Sequence, residues 1–196
     1  MHISIEKIVN SIFRSNTYLI QDESSNSVWL VDAGDVDVLI NKIISIGKKI
    51  EGVLLTHAHY DHIYGLNKLF EYNNDLKVYI GAEDTSGLFS SKMNMSKYHD
   101  NGEFVYKGRN IVPIFNGDII TLFNDITVEV LAVPGHTPGC IAYKMDKYLF
   151  TGDAYIPGFK VITCFSLSNK EKADLSTKKI EELLLSSNYC VFAGHN

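Results

Sequence analysis

The stretch "VLLTHAHYDHIYG", Val53 to Gly65, sets an apolar run directly against three histidines and an aspartate. The chain has only 7 histidines among its 196 residues, and three of them fall within six consecutive positions of this stretch. Adjacent imidazoles and a carboxylate cost free energy to desolvate unless something binds them. Because a metal ion is the usual partner of such side chains, the stretch indicates a metal site.

Four apolar runs of the chain end in a small or turn-forming residue that is followed by a potential ligand. "VLLT" leads to His57, "VLAVPG" to His136, "YLFTG" to Asp153 and "CVFAG" to His195. Functional groups collect on the loops at the carboxyl ends of strands. The four runs therefore predict one shared site.

Spacing divides the ligands of the HxHxDH stretch into two pairs. His57 and His59 are two apart in an extended segment, so they project to the same side and can grip one ion. Asp61 and His62 lie where the next helix is expected to begin, so they point away and can hold a second ion. The alternative is a set of ordinary core or surface histidines, and the constellation favours the metal site over it.

Composition and charge bound the class of protein. The length of 196 residues, with 45% hydrophobic and 21% charged residues, predicts a single domain over residues 1–196. A net charge of -5 without a basic stripe argues against a nucleic-acid partner. The start resembles no secretory leader and no apolar run is long enough to span a membrane, so we expect a cytoplasmic protein without a membrane partner.

The three cysteines, Cys140, Cys164 and Cys190, lie too far apart to suggest a disulfide framework or a zinc knuckle. Reduced thiols in a cytosol fit this pattern. Cys140 follows "GHTPG" closely, and we interpret it as a packed side chain rather than a thiolate ligand.

Short β-rich runs alternate with a few helical patterns, which predicts a mixed α/β chain. One helix is expected in "DVDVLINKIISIG", with Asp35 as its N-cap and Gly47 at its end. A second helix is expected to begin at His62, and a third covers "DLSTKKIEELLLSSN". The irregular stretch from Asp84 to Asn116 is predicted to be a lid or a surface excursion. The predicted strands are "NTYLI", "SVWLVD", "GVLLT", "KVYI", "TVEVLAV", "IAYKM", "KYLFT" and "YCVFA".

The motif "THAHYDH", with the later "PGHTPG", "TGD" and "AGH", resembles the metallo-β-lactamase fold hydrolases from about Asn16 to His195. The resemblance implies an α/β fold, a four-layer αβ/βα sandwich, with a dinuclear metal site at one edge. It implies two zinc ions, with iron or manganese as alternatives. The implied ligands are His57, His59 and His136 for the first ion, Asp61, His62 and His195 for the second, and Asp153 as the bridge between them.

Two further residues are implied to take part. Asp32, in "WLVDAG", would accept a hydrogen bond and orient the metal ligands, with a turn or helix cap before Asp35 as the alternative. Tyr155, two residues beyond Asp153, is a candidate for contact with the substrate, with buried packing as the alternative. Candidates for the wall of the cleft are Lys160, His99, Met93, Met95, Phe89 and Tyr98.

Among members of the family, the chain looks most like glyoxalase II, the hydroxyacylglutathione hydrolase, in its shorter forms. That likeness implies attack of a metal-bridging hydroxide on a thioester or ester carbonyl, with Asp61 taking the proton. The substrate would be a small, anionic acyl thioester or ester, and the oligomeric state is left open. Alternatives are a persulfide dioxygenase with one iron on His57, His136 and Asp153, a lactonase or phosphodiesterase, and a non-catalytic metal scaffold.

Two departures from glyoxalase II bear on the thiol part of the substrate. After Asp153 those enzymes have a Gly-rich loop with basic and tyrosine residues that hold glutathione, whereas this chain reads "AYIPGFKVITCFSLSNK". They also carry a helical domain after the last metal histidine, where this chain reaches Asn196. We therefore expect hydrolysis that depends little on glutathione.

Overall fold

The computed structural model describes residues 3–100 and 102–196. Two 3-10 helices, Ala82–Phe89 and Ser96–Tyr98, lie between the fifth and sixth strands. The strands and α-helices follow in the order β1 (Ile3–Val9), β2 (Asn16–Asp22), β3 (Ser27–Val31), α1 (Val36–Ser45), β4 (Lys49–Leu54), α2 (Tyr60–Ile63), α3 (Leu66–Tyr72), β5 (Lys77–Gly81), β6 (Ile111–Ile114), β7 (Ile119–Phe123), β8 (Ile126–Ala132), β9 (Ile141–Met145), β10 (Tyr148–Gly152), α4 (Lys170–Ser186) and β11 (Cys190–Ala193).

The strands form two mixed sheets. The first has the order β1-β2-β3-β4-β5-β6, antiparallel from β1 to β3 and parallel from β3 to β6. The second has the order β11-β10-β9-β8-β7, in which only the β10 and β11 pair is parallel. In each sheet the parallel strands bring their carboxyl ends to a common edge, where the loops that follow them can meet.

The sheets pack face to face, and helices cover their outer faces. Trp29 and Val31 of β3 join the apolar cluster between the sheets, together with Val130, Tyr143 and other residues of the second sheet. On the outer face of the first sheet a second cluster includes side chains of α1 and α3, and a third joins α4 to the second sheet. These layers make the four-layer αβ/βα sandwich that the resemblance implies, and the predicted fold is confirmed.

The central strands bury both of their faces. Along β2, Tyr18 and Ile20 enter the cluster between the sheets, while Leu19 enters the cluster beneath the helices. Val28 and Trp29 divide in the same way along β3. A strand buried on two sides reads as a continuous apolar run, which is why these segments could be recognised from sequence.

The helix predictions are partly confirmed. Helix α1 lies where it was expected, and Gly47 follows it with a φ of +67° that suits a residue without a side chain. Asp35 precedes α1 but makes no side-chain cap, because its carboxylate accepts hydrogen bonds from Ser11 and Tyr64 instead. The last helix begins earlier than predicted, at Lys170, where the side chain of Asn169 accepts from the Lys172 amide.

The helix predicted to begin at His62 is in fact two short helices. Helix α2 begins at Tyr60, and the helical run breaks at Gly65 before α3 begins. The break has a cause in the neighbouring loop, because the Gly65 amide donates to the Ala33 carbonyl while the Ala33 amide donates to the His62 carbonyl. A side chain at position 65 would collide with the Gly34 carbonyl. The loop after β3 is thereby fastened to the helix that carries Asp61 and His62.

The prediction of a lid or surface excursion over Asp84 to Asn116 is wrong in part: Tyr98 and Val105 are exposed, but other residues of the segment belong to the core. Leu88, Asn94 and Tyr106 are buried within it, and its last part includes β6 at the edge of the first sheet. The Asn94 side chain donates to the carbonyls of Gly87 and Phe104. Side-chain hydrogen bonds thus replace the regular backbone ladder, so the segment packs without the periodicity by which a helix or strand is recognised.

Strands β1, β6 and β7 were not among the predicted elements. β1 and β6 are the two edges of the first sheet and β7 is an edge of the second, and their outward side chains are partly exposed. Among residues 3–100 and 102–196, no helix is both long enough and apolar enough to cross a membrane.

Candidate metal centre

The seven predicted ligands come together at the edge where the two sheets meet. His57 and His59 follow β4, Asp61 and His62 lie in α2, and the rest follow β8, β10 and β11. Their side-chain nitrogen and oxygen atoms form three overlapping groups in which the potential ligand atoms lie within 4.8 Å of one another. The groups are His57, His59 and His136; His57, His62 and Asp153; and Asp61, His62 and His195.

A buried threonine orients His57. The Thr56 hydroxyl lies 2.9 Å from Oδ2 of Asp32 and 3.1 Å from Nδ1 of His57. Because a hydroxyl has one proton, it can donate to the carboxylate and accept from the imidazole N–H. Nε2 of His57 is then left with a free lone pair, and this buried atom has no hydrogen-bond partner.

Asp32 also contacts His62, at the other side of the cluster. Its Oδ2 atom lies 2.8 Å from Nδ1 of His62, and its Oδ1 atom accepts from the Thr56 amide. The side chain therefore orients one imidazole directly and another through Thr56. This is the position that the resemblance implied for Asp32, and the alternative of a helix cap has no counterpart in its contacts.

Backbone carbonyls orient two more imidazoles. Nδ1 of His136 donates to the Ile162 carbonyl at 2.8 Å, and Nδ1 of His195 donates to the Phe13 carbonyl at 3.1 Å. Metal-bound histidines commonly donate their second ring N–H in this manner, which fixes the tautomer and the ring orientation. His195 is held further by its backbone neighbours, since the Asn16 amide donates to the Gly194 carbonyl.

Asp153 lies between the two outer groups. One of its oxygens, Oδ2, is 3.4 Å from Nε2 of His136 and 3.4 Å from Nε2 of His195. The other, Oδ1, is 3.5 Å from Nε2 of His62, and it is a buried atom without a hydrogen bond. This carboxylate is within reach of ligands from both ends of the cluster, as a bridging group would have to be.

Four imidazoles of the cluster fall into two electrostatic classes. Burial and the neighbouring imidazoles lower the pKa of His57 well below its usual value and lower the pKa of His59 to about 3. Burial also lowers the pKa of His62, but Asp61, Asp153 and Asp32 outweigh it and raise that pKa to about 9. For His195, burial is outweighed by hydrogen bonds to Asp153 and Asp61, and the pKa rises to about 10. In the protein alone, protons therefore occupy one end of the cluster.

These residues fit metal ions. Buried lone pairs on His57 Nε2 and Asp153 Oδ1 that lack donors are costly unless a cation satisfies them. Three imidazoles at one end suit zinc, and the mixed nitrogen and oxygen set at the other suits zinc, iron or manganese. The cluster could hold two such ions, one at each end, with Asp153 between them.

Asp84 is a residue of the site that the sequence reading missed. Its buried carboxylate accepts from the Thr137 hydroxyl at 2.6 Å, from the Gly139 amide at 2.7 Å and from the Ala58 amide at 3.2 Å. It therefore joins the loop that carries His57 and His59 to the loop that carries His136. Burial raises its pKa despite these donors. In the sequence it appears only as one of two acidic residues after β5, so nothing distinguishes it from exposed Glu83.

The remaining residues predicted for the site lie in different parts of the structure. Tyr155 lies partly buried against the cluster of Cys140, Ala154 and neighbouring residues under α4 and does not line the cavity over the metal-ligand cluster, so its contacts are those of packing. Cys140 is buried and free, as predicted, and burial raises its pKa. Phe89 is exposed and lines neither cavity beside the cluster.

A cavity of about 570 Å³ opens over the cluster. Asp61, His136, Asp153 and His195 form its floor, and four of the predicted wall residues line it: Met95, Tyr98, His99 and Lys160. Met93 lines a smaller cavity of about 110 Å³ on the far side of His59.

A buried, mixed imidazole and carboxylate cluster at the edge of an αβ/βα sandwich is the architecture of a metallohydrolase. Residues 11–195 match the family model described as the metallo-beta-lactamase superfamily, and the chain belongs to that family.

Named relatives agree with this membership. A hydroxyacylglutathione hydrolase of Shewanella oneidensis is 31% identical over 76% of this chain and 51% of its own length. A hydroxyacylglutathione hydrolase of Haemophilus influenzae is 28% identical over 98% of this chain and 91% of its own length. The BLEG-1 B3 metallo-beta-lactamase superposes with a TM-score of 0.88 at 22% identity, covering 98% of this chain and 92% of that one, and shows the shared fold. The chain spans about half the length of the first relatives it matches.

The charged imidazoles predict proton release on metal binding. His62 and His195 have pKa values of about 9 and about 10, so both hold protons at neutral pH and must lose them to become ligands. We expect release of up to about two protons from this end of the cluster, and an affinity that rises with pH until about pH 10, where His195 has lost its proton. Calorimetric zinc titration in buffers of different ionisation enthalpy measures the release. Enthalpies that do not vary with the buffer would contradict it, and His195→Ala should release fewer protons than the parent.

Substitution of Asp84 is expected to lower metal affinity, although Asp84 is not itself a proposed metal ligand. Asp84→Asn keeps the volume but replaces one acceptor oxygen by a donor, so Thr137, Gly139 and Ala58 can no longer all be satisfied. We expect affinity for the first ion to fall on the order of 10–100-fold, as for other groups that hold metal ligands in place. Competition titration with a chromophoric chelator measures it, with Glu83→Gln as the exposed neighbouring control. Equal affinities in the two variants would remove Asp84 from this role.

Proposed function

We propose that the chain is a hydrolase with two metal ions, zinc being the expected metal, that cleaves the bond between the acyl carbon and the sulfur or oxygen of a thioester or ester. The observation that carries the proposal is the buried cluster of seven ligand-type side chains, four of which form the floor of an open cavity. The relatives named hydroxyacylglutathione hydrolases support the thioester class. A single iron on His57, His136 and Asp153 would leave the group of Asp61, His62 and His195 without a partner, which favours hydrolysis over the dioxygenase alternative.

The proposed ligands divide by their contacts. His57, His59 and His136 would hold one ion, and Asp61, His62 and His195 the other, with Asp153 shared between them. Bound there, such ions supply a water of lowered pKa at neutral pH and positive charge for the developing oxyanion. Asp32, Thr56 and the carbonyls of Phe13 and Ile162 keep the imidazoles in the required orientation and tautomer.

Asp61 is the residue we propose to move the proton. Burial raises its pKa, but His62 and His195 outweigh burial and keep that pKa below its usual value, so the carboxylate is ionised and can accept a proton. Its Oδ2 atom lies 3.2 Å from Nε2 of His195, and the residue lines the cavity floor, within reach of a bound substrate. A thiolate leaving group needs little protonation, so one acceptor is sufficient for a thioester.

The shared position of Asp153 gives the first test. Asp153→Ala removes a carboxylate near both ends of the cluster. The parent should contain close to two metal ions per chain, and we expect the variant to lose metal from both sites rather than from one. Elemental analysis of protein purified without chelator measures this, and Asp174→Ala, an exposed aspartate of α4, is the control. Full occupancy in Asp153→Ala would overturn the bridging assignment, and iron at one equivalent in the parent would favour the dioxygenase.

The thiol part of the substrate gives the second test. Within the described part of the chain, Lys160 is the only lysine or arginine that lines the cavity, which is a poor match for the two carboxylates of glutathione. We expect kcat/KM for S-lactoylglutathione to lie within roughly tenfold of that for the same acyl group on N-acetylcysteamine. Stopped assays on metal-loaded protein compare the two. A preference for the glutathione ester of more than about a hundredfold would show that glutathione is recognised after all.

A further inference from the structure

One side of the cavity over the cluster is lined by apolar side chains. We use the term apolar wall for Phe13, Tyr98, Ile156, Phe159 and Ile162, which line the cavity above its ionisable floor. Phe13 is 60% exposed, Tyr98 61%, Phe159 67% and Ile162 54%. Single exposed apolar residues need no explanation, but four large ones around one opening indicate a surface that contacts a ligand.

The apolar wall is fastened to the proposed metal ligands. The Ile162 carbonyl accepts a hydrogen bond from Nδ1 of His136. The Phe13 carbonyl likewise accepts one from Nδ1 of His195. The Ser168 hydroxyl donates in turn to the His136 carbonyl, which holds the segment after β10 against that histidine. Both sides of the wall are thus fixed relative to the floor, so a ligand bound in the cavity can contact the wall and the floor together.

The backbone at Phe13 is held in a conformation that costs free energy. Phe13 and Arg14 have φ values of 50° and 56°, in the left-handed region that side-chain-bearing residues rarely adopt. The turn is closed by the Asn10 amide, which donates to the Ser15 carbonyl, and by the Ser15 hydroxyl, which donates to the Asp61 carbonyl. The result presents the Phe13 ring to the cavity and its carbonyl to His195.

We propose that the substrate of the proposed hydrolase carries an apolar arm, aliphatic or aromatic, on one side of the scissile bond and bound against the apolar wall. The inference rests on the proposed function for the position of the carbonyl, and on the wall for the arm. The cavity of about 570 Å³ has room for such an arm beyond the reacting group. Lys160, at the same opening, can neutralise one anionic group of a ligand but not the several negative charges of a polyanionic thiol.

The arm can belong to the acyl group or to the leaving group of the substrate. Two series of ligands distinguish these two positions. Binding of acetate, butanoate, hexanoate and octanoate to zinc-loaded protein tests the acyl side, and ethanethiol through octanethiol tests the leaving group. Calorimetry measures both without requiring turnover. We expect affinity to rise by up to about fourfold per methylene in one series, since burying a methylene is worth about 0.8 kcal/mol.

Variants locate the arm. Phe159→Ala and Ile162→Ala truncate exposed side chains and keep the Ile162 carbonyl, so both should fold and retain two zinc ions while flattening the dependence on chain length. Leu175→Ala, which removes a 69% exposed leucine of α4 away from the cavity, should leave it unchanged. A flat dependence in both series, or a steep one that survives Phe159→Ala and Ile162→Ala, would overturn the proposal. A second outcome would also overturn it: light scattering detects a dimer of the parent, and Phe159→Ala dissociates that dimer without changing ligand affinity. The wall would then be an interface between copies of the chain.

Failure of the two proposals can be told apart. The same chain-length series is offered as thioesters, with acyl groups on N-acetylcysteamine and acetyl groups on alkanethiols. Affinity that depends on chain length, with none of the thioesters cleaved, would support the apolar arm and contradict thioester hydrolysis. Cleavage of every thioester at equal kcat/KM, with equal affinities for the short and long ligands, would support hydrolysis and contradict the arm.

Discussion

The burial of the Asp153 carboxylate among imidazoles is the interaction on which the rest of the site depends. A buried carboxylate costs several kcal/mol unless opposite charges and hydrogen bonds compensate it. One oxygen of Asp153 has no donor, and the nearest groups are ring nitrogens of His62, His136 and His195. These four residues come from α2 and from the loops after β8, β10 and β11, so the two sheets must close on one another before the charge can be compensated.

Two other buried carboxylates supply rigidity behind this centre. Asp32 joins the end of β4, through Thr56, to His62 in α2. Asp84 joins the amide of Ala58 to Thr137 and Gly139, and so couples the two loops that carry the three-imidazole group. Asp84 divides its hydrogen bonds between two segments distant in sequence, and Asp32 ties the end of β3 to the neighbouring strand end and helix. The imidazoles are consequently positioned by the fold before any ion binds, which is the preorganisation that metal-assisted hydrolysis needs.

The sheets and the irregular segments have different tasks in this chain. Regular strands fix the floor, whereas the apolar wall comes from the turn at Phe13, the second 3-10 helix and the segment after β10. Loops on a fixed scaffold can change the ligand without disturbing the metal cluster. Likeness to a metallo-beta-lactamase at 22% identity therefore speaks to the fold. The choice of ligand depends instead on the residues that line the cavity.

The sequence by itself determined which side chains gather at the centre, because all the proposed ligands are local to a strand end or to the HxHxDH spacing. It also determined the mixed α/β class and helix α1, whose patterns are periodic. Only the tertiary structure decided that Asp84 belongs to the site, that Tyr155 packs away from it, and that Ile111–Ile114 completes the edge of a sheet. The physical reason is that these outcomes depend on contacts between distant segments: Asp84 is 53 residues from Thr137, and no local pattern encodes which donors a folded chain will bring to a buried carboxylate.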